Sequence, residues 1–255
     1  MKNKLIIGNL KMNPASAIEF DRYLDMLEKE LAGKNFEKTE IVVCPPAVFL
    51  QKLLNRDFPN VRAGVQDVFW ERNGAFTGQI SAPMVKSLGA QYVIVGHSER
   101  RKYFGENEEI INLKLKAILK DGLNAILCIG ESAEERKKNQ TPAVLKKQLG
   151  GTLAGVGAGK LEYVNIAYEP IWAVGTDKIP TSDEILEVKI IIKKILAEMY
   201  SLKAVEKMRL LFGGSVKSSC TRDVCLAPAM DGALVGRESL APYELVKIAK
   251  MIDES

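Results

Sequence analysis

Short, unbroken apolar runs alternate with longer amphipathic stretches along the whole chain. The apolar runs cover residues 5–8, 41–44, 61–65, 92–95, 125–129, 164–168, 209–212 and 233–235. Most are continuous rather than alternating, the pattern of parallel strands covered on both faces. The stretches between them read as helices with recognisable ends. Pro14 opens the first, whose Phe20, Leu24, Leu27 and Leu31 share one face. Ile111, Leu115 and Ile118 line the fourth, and Gly122 is placed to close it in a left-handed cap. Thr181-Ser182-Asp183-Glu184 has capping-box spacing before Ile185, Val188, Ile192, Ile195 and Met199. The count is eight βα units without a break in composition. At this length it predicts a closed (β/α)8 barrel, one domain over 1–255, in preference to an open doubly wound sheet.

Barrels of this kind collect their chemistry at the C-terminal ends of the strands. The polar residues that interrupt the apolar runs stand in those places: Asn9 and Lys11 after the first, His97 after the fourth, Glu169 after the sixth. Gly213-Gly214-Ser215 follows the seventh and Gly236 the eighth. Glu169 ends an apolar strand and is followed by Pro170 and a short Gly-containing segment, which mounts a base on a rigid element beside a hinged flap. His97 is the only histidine. A lone histidine is more often satisfied within a core, but this one stands at a strand end beside a predicted helix N-terminus. Backbone N–H groups there disfavour the imidazolium and leave a neutral ring able to donate to a carbonyl oxygen. Lys11 by itself reads as an ordinary solvated lysine. Together, a carboxylate base, a neutral imidazole and a cation suit proton abstraction next to a carbonyl, because the developing enediolate needs fixed donors. Gly213-Gly214-Ser215 supplies small residues, a hydroxyl and backbone N–H groups where barrels often bind phosphate. In isolation the Gly-Gly pair is equally a tight turn.

Composition narrows the setting. The chain has 255 residues, 47% hydrophobic, and a formal net charge of +4 spread without blocks. That balance suits a small anionic substrate and gives no pointer to nucleic acid or membrane. The N-terminal apolar run is too short for a signal peptide and no stretch is long enough to span a bilayer, so a cytoplasmic location is expected. Cys44, Cys128, Cys220 and Cys225 lack CxxC spacing and read as reduced, mostly buried thiols. No HExxH motif or acidic cluster supports a metal. The Gly155–Lys160 run resembles a nucleotide loop, but it precedes a strand, has Ala154 at the first glycine position and Leu161 for the Ser/Thr, so it reads as a flexible connector. Residues 66–79, from Gln66 to Gln79, carry Phe69, Trp70 and Phe76 around an Asn73-Gly74 turn. A connection so apolar either folds back on its own barrel or inserts into a partner. Insertion is preferred, which predicts a homodimer.

Taken in order across essentially the whole chain, Asn9-Leu10-Lys11, the run from Gly96 to Arg101, the run from Ala167 to Thr176, Gly213-Gly214-Ser215 and Gly236 resemble the triosephosphate isomerase family of TIM barrels. The resemblance implies interconversion of dihydroxyacetone phosphate and D-glyceraldehyde 3-phosphate, without cofactor or metal. It implies Glu169 as base, His97 as neutral electrophile, Lys11 as the enediolate-stabilising cation and Asn9 as a substrate-holding amide. Glu99 and Cys128 match residues that support the site. Gly175, Ser215, Gly236 and Arg237 match the phosphate grip, 173–177 the lid, and Thr77 a contact reaching the neighbouring subunit's site. Several positions depart from the family pattern. Leu10 replaces a common Trp, and Gln79 a Glu that pairs with Arg100 across the dimer. Arg237 replaces a glycine whose N–H is used, and Asp177 a lid glycine. Phe212 stands where a Tyr hydroxyl commonly holds a lid N–H, and the lid position is Pro180, which has none. Closure is therefore expected to rely on Ser215 and the phosphate. A sugar-phosphate epimerase or synthase barrel would account for the Gly-rich loops but not for Lys11, His97 and Glu169 together. A non-catalytic phosphate-binding barrel is kept open by Asp177 and Arg237.

Overall fold

In β1 (Lys4–Asn9) the side chains of Leu5 and Ile7 join Val42, Ile94, Ile126, Leu211 and Leu234 in one apolar cluster, while Ile6 belongs to a second with Ile41, Val93 and the helix faces. The first cluster fills the barrel and the second lies between strands and helices, so both faces are buried and the strands read as continuous apolar runs. The structure is a computed structural model and describes residues 3–174 and 178–255. Strands β1, β2 (Thr39–Cys44), β3 (Val61–Val65), β4 (Tyr92–Val95), β5 (Asn124–Ile129), β6 (Val164–Tyr168), β7 (Arg209–Gly214) and β8 (Gly232–Val235) are all parallel and close in sequence order. Ile6 of β1 lies opposite Ile41 on one side and Ala233 on the other. This is a single-domain TIM barrel, as the eightfold alternation predicts.

The outer layer comprises α1 (Ala17–Leu31), α2 (Leu50–Leu54), α3 (Ala82–Leu88), α4 (Ser98–Phe104), α5 (Glu108–Lys120), α6 (Ala133–Lys137), α7 (Thr141–Thr152), α8 (Ser182–Met199), α9 (Leu202–Val205) and α10 (Pro242–Asp253). The alternation is not one helix per strand: α4 and α5, α6 and α7, and α8 and α9 share connections. Pro14 precedes α1 instead of opening it. The start is fixed by Ser16, whose hydroxyl accepts from the Glu19 N–H at 3.2 Å, while the Glu19 carboxylate accepts from Ala15. The capping box of α8 is present as expected, Thr181 and Glu184 each accepting the other's backbone N–H. Met199, at the end of that helix, is exposed rather than on the packed face. Gly122 has φ 71°, the left-handed closure expected after α5.

Two further departures concern the loops. β7 runs through Gly213 and Gly214, so the pair ends the strand rather than following it. Beyond it come a 3-10 turn (Ser218–Cys220) and a π turn (Arg222–Leu226) in place of a regular α-helix. The connector at 155–160 leads into a 3-10 helix (Ala158–Tyr163) anchored by buried Leu161, and the Tyr200 hydroxyl donates to the Val156 carbonyl at 3.0 Å. It is an ordered element, not a loose link. All four cysteines are free and buried. Among the described residues, no helix is long and apolar enough to cross a membrane.

Candidate active site

Glu169 continues the line of β6, its N–H donating to the Ile129 carbonyl at 2.7 Å. Its carboxylate is buried at the C-terminal end of the barrel. One oxygen lies 3.2 Å from His97 Nε2, and the other accepts the Ser98 N–H at 3.2 Å. Space for it comes from β7: a Cβ on Gly213 would stand 2.9 Å from Glu169 Cγ. The carboxyl is held below its usual 4.5. Burial pushes it up, but His97, the Ser98 N–H and Lys11 together outweigh burial.

His97 is the N-cap of α4, reached through Gly96 at φ 72°, and its Nδ1 accepts from the Glu99 N–H at 3.2 Å. An accepting Nδ1 places the single ring proton on Nε2, facing Glu169. This is the neutral tautomer expected at a helix N-terminus. The ring pKa is nevertheless raised above 6.5: burial lowers it, and the Glu169 carboxylate more than compensates. The two facts meet in one conclusion. The neutral ring is set by Nδ1, and the tendency towards imidazolium comes chiefly from Glu169 resting against the ring. Cys128, fully buried beside Glu169, has its thiol pushed up by burial and by that carboxylate, so it remains protonated.

Lys11 adopts φ 53°, a conformation uncommon for a residue with a side chain. Three contacts hold it. The Asn9 side-chain oxygen accepts its N–H at 3.0 Å, Gln66 donates to its carbonyl at 2.7 Å, and its ammonium meets Glu99 at 2.5 Å. The second Glu99 oxygen is 3.6 Å from His97 Nδ1. Asn9, Lys11, His97, Glu99 and Glu169 thus form one connected group.

A cavity of about 400 Å³ opens beside them, walled by Asn9, Lys11, Val174, Gly214, Ser215 and Gly236, with Lys217 and Arg237 further out. A recess of about 20 Å³ shares Asn9, Lys11 and Gly236 with it and adds His97 and Glu169. Ser215 donates its hydroxyl to the Ala173 carbonyl at 3.0 Å. Gly175, Thr176 and Asp177 lie outside the described residues, so only Ala173 and Val174 of the expected lid segment are placed. Arg237 is exposed and lines the same cavity.

Other residues of the site escaped the sequence reading. Glu131, fully buried after β5, accepts from the Tyr168 hydroxyl at 3.1 Å and the Trp172 indole at 2.9 Å. Arg136 lies 3.5 Å from Glu131, stacks 4.4 Å over the Trp172 ring and reaches Glu184 at 2.6 Å, tying the segment after Glu169 to the start of α8. The signal was available, since Glu131 is a polar residue just past an apolar strand, as Gln66 is after β3. Arg100 is engaged within the chain, by Asp67 at 3.0 Å and Glu106 at 2.5 Å, and Lys114 joins the same two carboxylates. Phe69 stacks on Trp70 at 3.9 Å and meets Phe76 at 4.6 Å, while residues 71–80 are all exposed.

The family model described as triosephosphate isomerase matches residues 4–252. A triosephosphate isomerase of Alkaliphilus oremlandii is 42% identical over 249 residues, covering 97% of this chain and 99% of that protein. One of Carboxydothermus hydrogenoformans is 41% identical over 253 residues (98% and 99%), and one of Dictyoglomus thermophilum 39% over 252 (98% and 100%). With the fold, the order of the strand-end residues and these relatives in agreement, the chain belongs to the triosephosphate isomerase family.

Proposed function

We propose that the protein, as one domain over 1–255, interconverts dihydroxyacetone phosphate and D-glyceraldehyde 3-phosphate through an enediolate. The observation that carries this is the convergence of Glu169, His97 and Lys11 beside a cavity walled by Ser215 and Gly236. The ionised Glu169 carboxylate takes a proton from the carbon next to the substrate carbonyl and returns it to the neighbouring carbon. His97 Nε2–H donates to the carbonyl oxygen, and the Lys11 ammonium balances the charge gathering there. To reach substrate, Glu169 leaves the Ser98 N–H and the imidazole, which removes the largest influence that raises the His97 pKa. Asn9 holds the Lys11 backbone and offers its amide to substrate, and Glu99 positions both Lys11 and His97. Backbone N–H groups of Gly175, Ser215, Gly236 and Arg237 grip the phosphate, and the segment after Glu169 excludes water when it closes. No cofactor or metal enters this scheme.

Turnover of D-glyceraldehyde 3-phosphate by the wild type, with Glu169→Ala alongside, tests the reading. Fast conversion that collapses in the variant is expected. A folded wild type that binds inorganic phosphate without turning over the triose would instead be a phosphate-binding barrel.

The same reading includes a homodimer through the loop from Gln66 to Gln79, with Thr77 reaching the neighbouring subunit, in the cytoplasm where reduced thiols persist. It is supported by the packed aromatics of that loop and by exposed Met12, Val48, Tyr103 and Phe104. Sedimentation equilibrium should give twice the chain mass, and shortening the loop should give monomers. A wild-type monomer at micromolar concentration would remove the dimer from the account.

A further inference from the structure

Among the described residues three cations wall the 400 Å³ cavity, and they are not equivalent. Lys11 is bound to Glu99. Lys217 and Arg237 are exposed and make no side-chain hydrogen bond or ion pair among the described residues. Each leaves the chain from the cradle itself, Lys217 two residues beyond Ser215 and Arg237 one beyond Gly236. A phosphate held by backbone N–H groups does not need them. Among the described residues one carboxylate, Glu238, also lines the cavity, against these two cations. A guanidinium and an ammonium without partners at the mouth of a phosphate cavity match a second phosphoryl group, the first by its planar fork and the second as a mobile point charge.

We propose that Lys217 and Arg237 form a second anion position at the outer end of the cavity. The site then takes small molecules bearing two phosphoryl groups, one in the cradle of Ser215 and Gly236 and one between the two cations. The proposal rests on the phosphate reading of that cradle. Its consequence is competitive inhibition of the isomerase by diphosphorylated compounds.

The experiment compares inorganic phosphate with inorganic pyrophosphate, by calorimetric titration and as inhibitors of turnover, in three proteins. The wild type should bind pyrophosphate at least tenfold more tightly than phosphate. K217Q/R237Q should lose most of that advantage, because the two side chains that hold the second phosphoryl group are gone while every backbone N–H of the cradle, that of Arg237 included, remains. Because pyrophosphate also carries more charge, K29Q/K203Q is the control. Lys29 ends α1 and Lys203 lies in α9, both exposed and preceding strand starts at the opposite end of the barrel. That variant should keep the wild-type ratio. The proposal is overturned if the ratio survives in K217Q/R237Q, or falls equally in the control, or is absent in the wild type. Failure of the cradle reading looks different: inorganic phosphate itself would then neither bind nor compete with the triose phosphate, and the second position would go with it.

Discussion

At the ends of β1, β4 and β6 the charged groups are already paired, Glu169 with His97 and the Ser98 N–H, Lys11 with Glu99. On the β7–β8 side Lys217 and Arg237 stand exposed and without side-chain partners among the described residues. The first side has Glu169 and His97 buried and is set by backbone geometry: a strand end, a helix N-cap, a residue at positive φ. The second offers backbone N–H groups and long flexible cations. On the proposed function, the contrast divides two tasks along one rim. Proton transfer needs atoms fixed to fractions of an ångström. Capture of an anion needs field and donors that adapt. Disturbing the first side should therefore appear in kcat, and disturbing the second in affinity and salt dependence.

The strongest way to break this division is to remove the base. Glu169→Ala should lower kcat by roughly 10³-fold or more while the folded protein still binds inorganic phosphate. If kcat survived within tenfold, the proton would be travelling by another route. Gly213→Ala sharpens the same point without touching a reactive group. Its Cβ would stand 2.9 Å from Glu169 Cγ, so the carboxylate must shift. Steady-state kinetics should show kcat down by roughly 10²-fold, the scale of a 1 Å misplacement, with KM changed much less. An equal loss in both parameters would mean that the cradle had moved as well.

A smaller effect, readable directly, concerns His97. Because it is the only histidine, a single NMR titration reports on it without ambiguity. In the wild type without ligand its midpoint should lie above 6.5, since the Glu169 carboxylate outweighs burial. In Glu169→Gln the carboxylate is gone and burial dominates, so the midpoint should fall below 6.5 and the neutral ring should persist to lower pH. A midpoint that does not move would show that Glu169 does not rest on the ring in solution. The sign for Glu169 is opposite. Its depressed pKa keeps it ionised as pH falls until below 4.5, so kcat/KM lost near pH 6 would report protonation of His97 in the free enzyme or the second ionisation of the substrate phosphate, at about 6, and not the base.

Much of this was legible because strand ends in a barrel are a narrow set of addresses. Once eight apolar runs are counted, the polar residue after each is a site candidate, and Asn9, Lys11, His97, Glu169 and Ser215 follow from position. The helix that caps at His97 was equally visible in Ser98 and Glu99. What escaped depends on relations between distant segments. Nothing local to Arg136 says that it stacks on Trp172 and reaches Glu131 and Glu184. Nor does Gly213 look like room made for a carboxylate on the neighbouring strand. The start of α1 departs from the proline signal for a different reason: Ser16 accepts from the Glu19 N–H and the Glu19 carboxylate from the Ala15 N–H, and these bonds decide the boundary.

The smallest expected effect on turnover is at Phe212. Its ring is fully buried, meets Tyr168 edge-on at 6.5 Å and points at Gly214, where an added Cβ would stand 2.8 Å from the ring tip. Phe212→Tyr would extend that tip by a hydroxyl, and the lid position that a tyrosine could serve is Pro180, which has no N–H to give. The new group would enter a packed, apolar place without a donor waiting for it. Stability should drop by about 1–3 kcal/mol, read by denaturant titration. Meanwhile kcat and KM stay within about twofold, and the loss of phosphate from the intermediate to give methylglyoxal does not change. Faster turnover or less methylglyoxal in the variant would show that the hydroxyl had found a partner in the closed lid, and that closure here depends on more than Ser215 and the phosphate.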